Sequence, residues 1–294
     1  MKTVLAALLL VPALAAAAPE IFFDDFSQPD IAALQASGWT LRDKAGHPGI
    51  EGAAWSPSGV SLQGGLLRLR GETDGTGAGT RQVQLCHQRK YLEGTYAARV
   101  RFSDAPVSGA DGDPVIQTFY VVSPLKHDFD PEFSELDWEY LPNGGWGKPD
   151  TRLYGITWQT VQMDPWNAFN AAHEEVRSLA GWHTLMMQVG EGRTRWFIDG
   201  RQVAEHGGRN YPVVPMAIAF SLWFSPASDV PKPLPEGGAP RVYEEDVDWV
   251  FHARNARLTT ADVQAQVAAY RKGGIPRIDT VPPAQPALES RCDF

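Results

Sequence analysis

Ser134-Glu135-Leu136-Asp137-Trp138-Glu139-Tyr140-Leu141 alternates acidic and apolar residues from Glu135 to Tyr140. A repeat of two belongs to an extended strand, whose successive side chains point to opposite faces. Leu136, Trp138 and Tyr140 therefore share one face, and Glu135, Asp137 and Glu139 share the other. The apolar set is expected to enter a core, which leaves three carboxyl groups in line on the far side. Like charges so placed repel unless something compensates. The spacing alone leaves three readings open: an acidic face in solvent, an oxygen-rich calcium site, or an acid–base pair. For the last, residues four apart on a strand have Cα atoms roughly 13 Å apart. Two glutamates leaning together approach the ~5–5.5 Å of a retaining glycosidase, and the ~6.5–9.5 Å of an inverting one also stays open.

The flanking sequence reads as more strands. Residues 60–63 and 66–70 are joined by Gly64-Gly65, and residues 194–198 and 201–204 by Asp199-Gly200, both hairpin signals. Residues 95–102 alternate, with Tyr96, Ala98, Val100 and Phe102 on one face. Further strands are predicted over 116–122, 153–159, 183–189, 213–224 and 247–251. Loops over 103–114, 123–131 and 225–240 are polar and rich in Gly or Pro. One helix stands out: Thr259 and Asp262 have capping-box spacing, Val263, Val267 and Tyr270 form an apolar stripe, and Gly273-Gly274 stops it. Many short strands with turn signals predict an all-β, two-sheet antiparallel jelly-roll sandwich with one short C-terminal helix.

Lys2, the apolar run 4–14 and the small residues 15–18 make residues 1–18 a secretory signal peptide, too short for a membrane span. The expected product is secreted, extracellular or periplasmic, with no integral membrane segment after signal removal. Residues 19–272 form the expected domain and the Pro-rich residues 273–294 a mobile tail. The net charge of −9 argues against nucleic acid and anionic membrane as partners. Cys86 and Cys292 lie far apart in the chain, and spacing leaves pairing and two free thiols both open. The 10 tryptophans suit both a sandwich core and the stacking of sugar rings.

Glu135-Leu136-Asp137-Trp138-Glu139 resembles the E-x-D-x-E signature of glycoside hydrolase family 16, retaining endo-glycanases with a β-jelly-roll fold. The surroundings resemble it as well: residues 91–102 and 116–122 ahead of the motif, Trp182-His183-Thr184 and Trp196-Phe197-Ile198-Asp199-Gly200 behind it, and residues 245–250 near the end. The likeness spans roughly residues 22–258. It implies Glu135 as nucleophile, Glu139 as general acid/base and Asp137 as the auxiliary acid between them. It also implies that Tyr120 and Trp158 lie in the cleft. Trp146, in a glycine-flanked loop, is a candidate sugar platform at the rim. Each aromatic has a bland alternative as a core or anchoring side chain.

His183 reads as a structural histidine, and His87, Arg89 and Lys90 as a solvated basic cluster. The sequence departs from the family in lacking a Trp on residues 116–118, and its loops match no subfamily of assignable substrate. The leading reading is a secreted, endo-acting, retaining hydrolase of β-glucan or galactan, expected as a monomer with a polysaccharide substrate. A lectin-like sugar-binding jelly roll and a transglycosylase using the same carboxyls are the alternatives. No organic cofactor or catalytic metal is required, since carboxyl groups suffice; a structural calcium away from the cleft stays open.

Overall fold

A computed structural model describes residues 19–289 and 292. The expected signal peptide, residues 1–18, lies outside the described residues. Within them the chain forms 17 strands and two α-helices. The strands make two facing sheets, linked through strand Arg81–Cys86, which pairs into both. All but one of the strand pairings are antiparallel; Ala54–Trp55 runs parallel to Arg81–Cys86. The predicted jelly-roll sandwich is the architecture found.

The cleft sheet runs Thr40–Leu41, Arg81–Cys86, Ala217–Phe224, Val115–Val122, Glu135–Leu141, Arg152–Gln162 and Asn167–Glu175. In the opposing sheet, Arg241–Arg254 pairs along one side with Gly94–Phe102. That side continues through Gly181–Gly190 and Arg193–Ile198 to Arg201–Gly207. Its other side is shared by Leu67–Thr73 and Ile21–Asp24. The core lies between the sheets, where Phe119, Leu136, Trp138, Tyr140 and Phe220 meet Tyr96, Val100, Leu185, Trp196 and Val247.

The C-terminal helix is Thr260–Lys272, and the Thr259–Asp262 capping box is present in full. Val263 and Val267 pack on the outside of the second sheet against Phe23, Met186, Trp249 and Phe251. A short helix, Ile31–Ala36, and strands Ile21–Asp24, Arg81–Cys86 and Asn167–Glu175 went unread in the sequence. The last has a polar, alternately exposed surface and so carries no apolar face to betray it.

The expectation of a mobile C-terminal tail is corrected. Strand Arg277–Asp279 pairs with Ile21–Asp24, and Val281 enters the core. Lys90 Nζ donates to Asp279 Oδ1 at 2.6 Å and to the Val281 carbonyl at 2.9 Å. Cys292 is bonded to Cys86, Cα to Cα 5.5 Å. Closing so long a loop by a covalent bond restricts the unfolded chain, which stabilises the fold.

The fold hangs on Trp138, whose ring meets Trp196 edge-on at 4.9 Å between the sheets. Trp138→Ala is expected to cost about 3–5 kcal/mol, read as a lower denaturant midpoint at unchanged slope. A loss within experimental error would show that the core does not rest there.

Candidate active site

Strand Glu135–Leu141 is the fifth across the cleft sheet, bonded to Val115–Val122 on one side and Arg152–Gln162 on the other. Its alternation sends Leu136, Trp138 and Tyr140 into the core at 0 % exposure. Glu135, Asp137 and Glu139 line a cleft of about 550 Å³ on the other face. The register gives each carboxyl two neighbours. Trp158 and Val122 flank Glu135, Ile156 and Tyr120 flank Asp137, and Tyr154 and Thr118 flank Glu139.

Tyr120, Trp146 and Trp158 line the same cleft, so all six residues singled out in the sequence come together. The indole N–H of Trp158 donates to Asp137 Oδ2. Tyr120 is almost buried, and its hydroxyl accepts a hydrogen bond from Gln84 Nε2. Trp146 is 39 % exposed, and its ring lies 5.0 Å from that of Tyr154. Its backbone φ of 51° is left-handed, an uncommon state for so large a side chain.

Tyr154, Trp166, Trp223 and His47 complete the aromatic lining, and sequence reading missed them. Tyr154 lay on a predicted strand, but only its register opposite Glu139 shows which face it takes. Trp166 caps the hairpin between Arg152–Gln162 and Asn167–Glu175, edge-on to Trp158 at 6.1 Å. An Asp-Pro turn ahead of it was the one available signal. His183 lies outside the cleft lining, with Nδ1 2.7 Å from Asp199 Oδ2.

The solvated reading of His87, Arg89 and Lys90 is corrected. His87 is fully buried, 4.3 Å ring to ring from Phe22, and its Nδ1 is bonded to the Tyr91 hydroxyl at 2.6 Å. Burial lowers its pKa to about 3, so it packs as a neutral ring. Lys90 reaches inward to the C-terminal strand, and Arg89 Nε donates to the Pro215 carbonyl at 2.7 Å.

Burial raises all three cleft carboxyls. For Glu139 burial alone lifts the pKa to about 8. Asp137 is raised next by the charges of Glu135 and Glu139, and its hydrogen bond to Glu135 further favours the protonated form. That same bond acts the other way on Glu135, opposing burial and the repulsion of Glu139. Protonation of Glu139 removes its repulsion of Glu135, while burial, the larger cause, still holds Glu135 well above the usual carboxylate range. Asp137 Oδ1 and Glu139 Oε2 are buried with no hydrogen-bond partner among the described residues. Buried polar atoms of that kind are usually satisfied, and these two suit the hydroxyls and bridging oxygens of a carbohydrate. Among the described residues, no cluster of three or more His, Cys, Asp or Glu has the geometry to hold a metal ion.

No protein-family model matches the sequence, and no curated protein matches it. Solved structures do match in fold. A Bacillus licheniformis β-glucanase is 17% identical with a TM-score of 0.58, covering 80% of this chain and 99% of its own. A laminarinase from Flavobacterium sp. UMI-01 is 13% identical with a TM-score of 0.59, covering 80% and 100%. A Bacteroides ovatus family GH16 protein, solved with a mixed-linkage glucan product, is 16% identical with a TM-score of 0.58, covering 78% and 98%. Sandwich, cleft and acidic strand thus belong to a chain with the jelly-roll fold of the family 16 β-glucanases and laminarinases.

Proposed function

We propose that this chain is a retaining glycoside hydrolase of β-linked polysaccharide, of the glucan or galactan type. The observation that carries the reading is the set Glu135, Asp137 and Glu139 on one cleft-facing strand, where burial and mutual repulsion raise their proton affinities. Glu135, ionised, attacks the anomeric carbon. Glu139, protonated, gives its proton to the departing glycosidic oxygen. Asp137 holds a proton against Glu135 and is itself braced by the Trp158 indole. Glu139, now a carboxylate, takes a proton from water, which attacks the glycosyl ester and restores the original anomeric configuration. A sugar hydroxyl in place of that water gives transglycosylation with the same groups.

The β-glucan and laminarin substrates in the names of the structural neighbours support the substrate class. A sugar-binding module would use the aromatic lining equally well, but three crowded carboxyls, two buried and one half-buried, add repulsion that binding alone does not require. Export is supported by the Cys86–Cys292 bond, which persists in oxidising compartments. No helix among the described residues is long and apolar enough to cross a membrane.

Hydrolysis of a β-glucan and β-galactan panel is expected to release the β-anomer first, as read by proton NMR; initial α-anomer would rule out double displacement here. Glu135→Gln is expected to lose activity on the order of 10⁴-fold or more. Glu139→Gln should lose about 10²–10⁴-fold, and much less on aryl glycosides whose leaving group needs no proton. Equal losses on both substrate types would reject Glu139 as the acid.

Activity is expected to fall as pH rises through about 8, where Glu139 gives up its proton. Because the three carboxyls interact, that limb reports the group as a whole. A carboxyl whose pKa is raised by folding stabilises the fold fully below its unfolded value and loses that contribution as pH climbs through the folded one. Glu139→Gln should therefore gain in melting temperature over the native chain between about pH 4.5 and 8. A gap that stays constant with pH would refute the raised pKa.

A further inference from the structure

The cleft sheet is seven strands wide, yet the cleft stops short of one end. Its lining reaches Ser221 and Trp223 on strand Ala217–Phe224 and does not include the next strand, Arg81–Cys86. On that strand Gln84 lies opposite Ser221, and Cys86 lies two residues further on the same face. The chain's own groups cover this face. Gln84 Oε1 accepts from Arg42 Nη1 at 2.9 Å, and its amide nitrogen donates to the Tyr120 hydroxyl. Cys86 carries Cys292, and the pair packs with Tyr120, Ala217 and Ala219. Gln82 donates to the Pro48 carbonyl at 3.1 Å and lies so close to Gly49 that a Cβ there would come within 2.2 Å of it. A disulfide and the loop 43–52 thus stand as a wall where a glycan crossing the whole sheet would have to pass.

The same loop continues over the cleft. Arg42 anchors it, donating to the Lys44 carbonyl at 2.9 Å and the His47 carbonyl at 3.1 Å, with its guanidinium 4.2 Å from the Trp55 ring centre. From there His47 comes within 5.7 Å of Trp166, ring to ring. The two rings rise from opposite ends of the sheet. Thr40–Leu41 and Asn167–Glu175 are its first and last strands, about 29 Å apart at ~4.8 Å per strand if the sheet were flat. Their contact is an arch across the cleft mouth.

We infer that the cleft is blind on the side of strand Arg81–Cys86 and seats a chain end there, so that the enzyme releases a short saccharide of one length. The family resemblance implies cutting at internal bonds; the wall and the arch oppose the entry of a chain that continues in both directions. Between the wall strand and the carboxyl-bearing strand lie three strand spacings, about 14 Å, room for a short saccharide only. The inference rests on the glycosidase reading.

The full chain is incubated with the β-glucan and β-galactan panel while viscosity and reducing ends are followed together. Oligosaccharides labelled at the reducing end are cut in parallel. One short product dominating from the earliest time points, with viscosity lagging behind reducing ends, is expected. The position of the label tells which chain end sits at the wall. A broad ladder of products with early viscosity collapse overturns this inference and leaves the glycosidase reading standing, whereas no hydrolysis of any substrate overturns both. Replacing His47 and Trp166 together by Ala removes the arch, and replacing Cys86 and Cys292 by Ala releases the wall. At least one of the two variants is expected to give longer, mixed products, and unchanged product length in both would reject the wall and arch as its cause.

Discussion

Alternate residues on a strand are about 6.6 Å apart, and two ionised carboxylates at that distance repel by about 2.5 kcal/mol at an effective dielectric of ~20. Glu135, Asp137 and Glu139 stand at that spacing on one face, and none makes an ion pair with a described Lys or Arg. Protons are therefore what relieves the repulsion, and the surroundings decide where they stay. Burial favours the protonated form of all three, and the charges of their neighbours raise Asp137 and Glu135 further. Crowding three acids on one face of a central strand makes the group hold protons that a solvated strand would give up.

Such a face survives only because the other face of the same strand is strongly held. Trp138 and Tyr140 are wholly buried, Trp138 against Trp196 and Tyr140 stacked on Phe102 at 4.7 Å. The Tyr140 hydroxyl also accepts from the Leu179 amide at 3.0 Å. Slipping the strand by one residue would put three acids in the core and two large aromatic rings in the cleft. The register is fixed by that penalty, and with it the position of each carboxyl relative to Trp158, Tyr120 and Tyr154.

The acidic strand was legible in the sequence because its signal is local: eight residues, one period, two faces. The helix cap at Thr259 and the glycine turns were legible for the same reason. What escaped depends on partners distant in the chain. Strand Asn167–Glu175 is a polar edge with no apolar stripe, so nothing in it announces a strand, and Trp166 at its turn was lost with it. His87 sits in a polar run that reads as solvated, yet Phe22 and Trp39 from remote parts of the chain, with nearby Tyr91, enclose it. The Cys86–Cys292 bond closes 206 positions and leaves no trace in spacing.

The same divide separates chemistry from substrate choice. The three carboxyls proposed to react lie on one strand, within a run of five residues. The limits of the cleft are set by contacts such as Cys86 with Cys292, Gln82 with Gly49 and His47 with Trp166, each joining segments at least 33 positions apart. Low sequence identity to solved structures of the same fold leaves the sequence of each strand largely free, since alternation constrains few positions. It also leaves the loops free to diverge, and here His47 and Trp166 of two such loops meet ring to ring in the cleft lining. A fold that keeps its acidic strand rigid and draws its walls from remote loops can change the length and kind of ligand its cleft admits without disturbing the three carboxyls.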